Sequence, residues 1–317
     1  RSQTMADILW DNTAKKLYAV SGGAGTDAWF MRYSYNPATK TYSRDFSPVV
    51  VRSGGGETIV LDKDSTGKLW ITYTQGNQVY VNRSTTSDSA WGTRFVVPGA
   101  AVLNSDDISS IVAYKDQNGS SIGVLWSNHN TPSSMLFSYH KDGDPDTTWR
   151  PIETIYTSAC AADDHINLKS IQADASGTIF GVVKTSFGDS GCGGTKSSPL
   201  IRLVVRRPNN TWLPPVTFGT VGDDHTRPVL LLDTTNRRVY IFATSPTSCG
   251  AIYMKFTSMD NPSFPSGKGT PFIKSSIYDC INNATTTKQT VDASTGLVVL
   301  ASDENKLYYL HNYLDLG

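Results

Sequence analysis

Two short stretches of the chain place carboxylates, an imidazole and a cation within a few residues of one another. The first is Asp163-Asp164-His165-Ile166-Asn167-Leu168-Lys169, and Asp223-Asp224-His225-Thr226-Arg227-Pro228 is its near copy. A partial third copy stands at Asp106-Asp107, with Ile108 in the histidine's place. If these stretches are extended, period-two alternation puts His165, Asn167 and Lys169 on one face, and His225 with Arg227 on another. A cation so placed can neutralise a carboxylate or sulfate on a ligand, while a histidine titrating near 6.5 moves a proton. The neighbouring Asp164 and Asp224 could orient the imidazoles, accept hydrogen bonds from sugar hydroxyls, or offer oxygen ligands to a calcium ion. No donor set specifies a metal, so calcium is a candidate and nothing more. The same residues also have a plainer use, since aspartates at strand starts commonly close turns and tie neighbouring strands.

The elements that must carry these residues repeat. An aspartate followed by small turn residues recurs at Asp11, Asp62, Asp116, Asp174, Asp233 and Asp292, at intervals of 51, 54, 58, 59 and 59 residues. A short apolar strand precedes each turn, among them Ile59-Val60-Leu61, Val229 to Leu232 and Gln289-Thr290-Val291. A second strand follows (Leu69 to Tyr73, Val239 to Ala243, Leu297 to Ala301), then a third, and in most units a weaker fourth such as Phe95-Val96-Val97 or Val216-Thr217-Phe218. No long segment carries a helical period. Six units of about four strands predict an all-β fold, a single β-propeller spanning residues 1–317 with six four-stranded blades. A lone blade cannot bury both faces of its sheet, and stacking against its neighbours does so. The last unit has no clear fourth strand. Inner strands are expected near Asp7, Glu57, Asp107, His165, His225 and Thr286. This topology sends the start of each inner strand and the loop between strands two and three to one face. Glu57, Asp107, Asn282, Asn283 and Lys288 join the two triplets there, with Glu57, Asp107 and Lys288 as candidate ligand-binding residues at a channel mouth. Trp70, Trp91, Trp126, Trp149 and Trp212 recur about once per unit and read as core, whereas Trp29 is expected to be exposed.

Composition removes some function classes. The 28 basic and 28 acidic residues balance, so no overall field attracts nucleic acid or an anionic membrane. No apolar run reaches the roughly 20 residues of a membrane span. The chain opens at Arg1 without a signal segment and is expected to be a domain of a larger or processed chain. Cys160, Cys192, Cys249 and Cys280 lack the spacing of a zinc site, and by composition three pairings are open. Once placed on the propeller, all four fall on the same face as the triplets. Nearest-neighbour geometry there favours Cys160–Cys192 and Cys249–Cys280. Bridges of this kind, with sequons at Asn82, Asn118, Asn209 and Asn283, point to an extracellular setting.

Asp62-Lys63-Asp64-Ser65-Thr66-Gly67-Lys68-Leu69-Trp70 resembles the Asp-box turn of sialidase-type propellers, with looser forms at Asp174 and Asp292. Asp224-His225-Thr226-Arg227-Pro228-Val229, running to Asp233 and then Val239-Tyr240-Ile241-Phe242, resembles a blade of the propeller polysaccharide lyases. That second resemblance implies a uronate-containing polysaccharide as substrate and β-elimination as chemistry. His165 or His225, or a tyrosine, would take the C5 proton, and Arg227 or Lys169 would neutralise the carboxylate. Thr226 stands where those enzymes carry asparagine, and no histidine follows the second strand of that blade. The alternative is a noncatalytic glycan-binding module of the lectin or adhesion kind.

Overall fold

The computed structural model describes residues 4–23, 25–101, 103–105, 107–130, 132–163, 171–305 and 308–317. Within them the chain folds as twenty-four strands and one short 3-10 turn, η1, at Val221–Asp223. The strands form six antiparallel sheets, the blades of a six-bladed β-propeller. Among the described residues no helix is long and apolar enough to cross a membrane.

The chain divides into two compact units. The first carries three sheets. In blade one, β1 (Thr4–Asp11), β2 (Lys16–Gly23) and β3 (Ala28–Asn36) pair in order, and the outer edge is split between β4 (Thr41–Arg44) and β5 (Val49–Arg52). Blade two runs β6 (Glu57–Lys63), β7 (Leu69–Gln75), β8 (Gln78–Arg83) and β9 (Phe95–Ala101). Blade three runs β10 (Ser109–Asp116), β11 (Gly119–Asn128), β12 (Ser133–Lys141) and β13 (Glu153–Ser158), with residues 127–135 and those from 155 on grouping with the second unit.

The second unit holds β14 (Ile171–Ala173), β15 (Ile179–Lys184), β16 (Pro199–Arg206) and β17 (Val216–Thr220) in blade four. Blade five follows with β18 (Thr226–Asp233), β19 (Arg238–Ser245), β20 (Ala251–Ser258) and β21 (Thr270–Ile273). Blade six has three strands, β22 (Ile281–Thr285), β23 (Leu297–Asp303) and β24 (Tyr308–Leu314).

One device shapes every blade. A carboxylate at the end of the inner strand, or beyond it in blade six, accepts the amide hydrogen of the residue two further on, which turns the chain toward the second strand. Asp11 holds Thr13, Asp116 holds Asn118, Asp174 holds Ser176, Asp233 holds Thr235 and Asp292 holds Ser294, each at 2.7–3.0 Å. In blade two this job falls to Asp64, which takes the amides of Thr66 and Lys68 and the indole hydrogen of Trp70. Asp62 is thereby released for another task, and its carboxylate accepts the Ala113 amide of the next blade at 2.7 Å. Asp7 does the same for Leu61 at 3.0 Å, and in the second unit the Gln172 amide bridges to Leu230, Leu232 and Thr287. The plainer reading of strand-start carboxylates therefore holds for Asp7, with Asp62 doing the same at its strand's end.

The cores lie between successive sheets. Val20, Phe30, Ile59, Leu61 and Ile71 are buried together in the first unit, and Phe180, Val182, Leu203, Leu230 and Ile241 in the second. Trp70 and Trp126 are fully enclosed, while Trp29 is 42% exposed.

The expected inner strand of blade six near Thr286 is displaced. Counting back from Asp292 points to Gln289-Thr290-Val291, but the strand that pairs with β23 is Ile281–Thr285. Ile281 and Ala284 supply its buried apolar groups, and Val291 makes only an isolated bridge to Asp233.

Candidate functional site

The two cysteine pairs form as the topology implies, Cys160 with Cys192 and Cys249 with Cys280, with Cα atoms 5.9 and 4.3 Å apart. They belong to a series of ties along one rim of the second unit. Lys184 at the end of β15 donates to Asp163 at 2.7 Å, both side chains being nearly enclosed. The β15–β16 loop then reaches η1, where Gly222 donates to the Lys196 carbonyl and Val221 to that of Ser198. Ser245 at the end of β19 donates to the Asp223 carbonyl at 2.8 Å, and the Thr247 amide and hydroxyl donate to Asp224. Past the second disulfide, Gly250 donates to the Ile281 carbonyl. Asn282 and Asn283 both donate to Glu304, at 3.1 and 2.6 Å. The loops along this rim are thus fixed to one another by side chains and backbone alike.

Within this rim the triplet at Asp223 does not fan out as alternation predicts. Asp223 is the last residue of η1, where burial works to raise its carboxyl but the Thr220 amide and hydroxyl hold it below the usual range. Asp224 follows in the left-handed conformation, φ 54°. Thr226 pairs with Thr244, but the next registered pair is Val229 with Phe242, so a bulge occupies Arg227 and Pro228. Arg227 sits in it at φ 48°, a conformation that costs a non-glycine residue on the order of 1–3 kcal/mol. The bulge breaks the period of two and sends the two chemical side chains to different places. Arg227 is half-buried and makes no hydrogen bond or ion pair with another described residue.

His225, by contrast, is fully enclosed. Its ring packs on Phe218 at 5.0 Å and edge-on to Tyr253 at 6.3 Å. Nε2 lies 3.0 Å from the Lys268 carbonyl, which can only accept, so that nitrogen carries the hydrogen. Nδ1 is buried without a partner against Gly219. Burial above all, aided by the Lys255 ammonium and opposed by the Lys268 carbonyl, pushes the imidazole down to about 4. The solvent-facing base expected at 225 is a neutral wall of the core, and the bulge is the reason.

The same bulge recurs. Thr58 (φ 49°) and Asn283 (φ 55°) occupy matching irregularities between Glu57 and Val60 and between Asn282 and Thr285. Thr58 turns its hydroxyl to the Ser109 carbonyl, a structural role, whereas Asn283 is exposed beside Glu304. Of the three, only Arg227 brings a charge to the position.

The other expected residues scatter. Asp164, His165, Asn167 and Lys169 lie outside the described residues. Glu57 is half-buried at the start of β6. Asp107 is fully buried, its carboxylate closing a turn on the Asn104 amide at 2.7 Å. Lys288 is 9% exposed, since β22 ends before it and the chain turns it inward. Both side chains are thus buried, where exposed groups at a channel mouth were expected. Among the described residues no three His, Cys, Asp or Glu side chains gather as a metal site. Asn283, expected on this face, does stand there beside Glu304; sequence reasoning overlooked Thr247 and Glu304, although the half-cystine at 249 stands two positions from the first.

No family model and no curated protein sequence matches the chain. Solved structures do. A lectin from Burkholderia pseudomallei, BP39L, aligns over 100% of this chain and 84% of its own, with a TM-score of 0.69 at 8% identity. An ulvan lyase of polysaccharide lyase family PL25, solved with -[GlcA(1-4)Rha3S]-, aligns over 98% of this chain and 78% of its own, with a TM-score of 0.58 at 12% identity. The fucose-recognising lectin of Aleuria aurantia, described as a six-bladed β-propeller, aligns over 100% and 96%, with a TM-score of 0.53 at 10% identity. At these identities the likeness is one of fold.

Proposed function

We propose that the protein is a carbohydrate-binding β-propeller and that the rim of its second unit, centred on Arg227, is a recognition surface. The observation that carries this reading is the half-buried Arg227, raised on a left-handed bulge with no hydrogen-bond or ion-pair partner among the described residues. The same rim carries groups suited to sugar hydroxyls: the Asp224 carboxylate held by Thr247, and Asn283 beside Glu304. Carboxylates accept from vicinal hydroxyls while guanidinium and amide donate to them. The loops bearing these groups are cross-linked by the Cys249–Cys280 bridge, so binding need not order them first. Two disulfides also fit an oxidising, extracellular setting.

Binding is favoured over β-elimination because the one described histidine of the triplets is enclosed and neutral, out of reach of a C5 proton. The test is a glycan screen with the protein and with Arg227→Ala. Loss of one charge-assisted contact should weaken the best ligand about 10- to 100-fold with the melting temperature unchanged. Undiminished binding by Arg227→Ala would remove this surface from consideration. New ultraviolet absorbance from unsaturated uronate ends, formed from an acidic polysaccharide, would instead establish a lyase.

A further inference from the structure

The opposite end of the same blade holds a second feature with the makings of a site. The turn from β18 to β19 and the turn leaving β20 enclose a groove of about 550 Å3, lined by Asn236, Arg237, Arg238, Phe256, Ser258 and Asp260. From Arg227 to Asp233 is six strand residues, about 20 Å at roughly 3.3 Å each, so this groove is separate from the rim.

Its chemistry is specific. Phe256 is 46% exposed, more than any other phenylalanine among the described residues, and it rests on Tyr240 at 5.3 Å. The Arg238 guanidinium carbon lies 4.7 Å over the Phe256 ring. Stacking of this kind fixes the plane of a guanidinium yet leaves its in-plane N–H groups free to donate. Arg238 has no hydrogen-bonded or acidic partner among the described side chains. The neighbouring charges are already matched: Arg237 grips Asp260 through two bonds of 2.6 and 3.1 Å, and Arg207 donates to the Asp260 carbonyl. The Asp233 carboxylate beneath is used by the turn, accepting from Thr235 and Asn236.

We infer that this groove binds an oxyanion carried on a sugar ring, a carboxylate or sulfate. Arg238 takes the anion in its fork, and the open part of Phe256 takes the apolar face of the ring. Arg237 and Asp260 close one side and offer the remaining polar contacts. With the Arg227 rim at the far end of the hairpin, one blade then presents two separate surfaces to a polymer.

The experiment is titration of the full chain, followed by amide chemical shifts or calorimetry, with three probes. These are a glucuronate-containing disaccharide, a sulfated galactose disaccharide and neutral lactose. Both acidic probes, or one of them, should bind with shifts centred on the Arg238 and Phe256 amides, and lactose should leave those amides unmoved. Which acidic probe binds distinguishes carboxylate from sulfate. Arg238→Ala and Phe256→Ala should each weaken that binding about tenfold or more, and Arg238→Lys should fail to restore it because the planar fork is lost. Both positions are partly exposed, so the variants should melt with the parent. Arg227→Ala should bind these probes at this groove as the parent does, which separates this inference from the proposal for the rim. Equal shifts from lactose, an unaffected Arg238→Ala, or no response to either acidic probe would each overturn it.

Discussion

Replacing His225 by glutamine should change how the protein responds to acid far more than it changes stability at neutral pH. The imidazole is fully buried, donates through Nε2 to the Lys268 carbonyl, and leaves Nδ1 without a partner. A second proton would have to enter at Nδ1, facing Gly219 and within the field of Lys255, with Asp223 the nearest compensating carboxylate. The native group is therefore held at about 4, against about 6.5 in the unfolded chain. Because the folded value is the lower one, the unfolded chain binds the proton first as pH falls. The stability that depends on neutral His225 is complete above about pH 6.5, declines by about 1.4 kcal/mol per pH unit below it, and is spent near pH 4. The total is about 3 kcal/mol. Glutamine can keep a donor toward the Lys268 carbonyl without titrating. Urea unfolding of both proteins between pH 7 and pH 4 isolates the effect, since carboxylates such as Asp45, held at about 2 by Lys16, Ser34 and Arg32 against its burial, are common to both. The parent should lose about 3 kcal/mol more than the variant over this range. Parallel curves would falsify the reasoning and show that water or a hidden partner serves Nδ1.

Two further outcomes follow from the same neighbourhood and its rim. Asp163→Asn leaves the nearly enclosed Lys184 ammonium without its carboxylate. Chemical denaturation should show a loss of about 3–5 kcal/mol, largely recovered when Lys184→Met is added. Gly219→Ala would place a methyl group 2.4 Å from His225 Nδ1. It should cost about 1–3 kcal/mol by the same measurement, and clearly less in a His225→Ala background, where the space is vacated.

Much of the architecture was legible because it is written in local chemistry. An aspartate that closes a turn is visible as an aspartate before small residues, and six of them at near-equal spacing define six blades whatever the rest of the chain does. The cysteine pairs followed from that topology, since only loops on one face of adjacent blades bring 160 to 192 and 249 to 280. Where the aspartate changes its task the reading slips by a few residues. Asp62 bridges blades while Asp64 makes the turn, and β22 lies upstream of the position counted back from Asp292.

The site was harder because a bulge leaves almost no trace in composition. Alternation assigns His225 and Arg227 to one face, and one extra residue in the strand is enough to bury the first and present the second. Proline at 228 was the available signal, since it donates no ladder hydrogen bond and fits strands at irregularities. It was present in the sequence and read only as part of a motif. The groove at Arg238 was missed for a related reason. Phe256 belongs to a strand whose alternation marks it as one of a pair of faces, and only the fold shows that its face looks outward under an arginine. In both places the deciding fact is the direction of a side chain. Backbone irregularity sets that direction at Arg227, and the position of Phe256 in β20, paired with Tyr240 of β19, sets it at Phe256. A repeat protein whose turns are strongly encoded can vary these directions from blade to blade without disturbing the scaffold. That is why blades with the same turn can present Thr58 as a strut, Asn283 as a hydrogen-bonding group and Arg227 as a half-buried cation on a bulge.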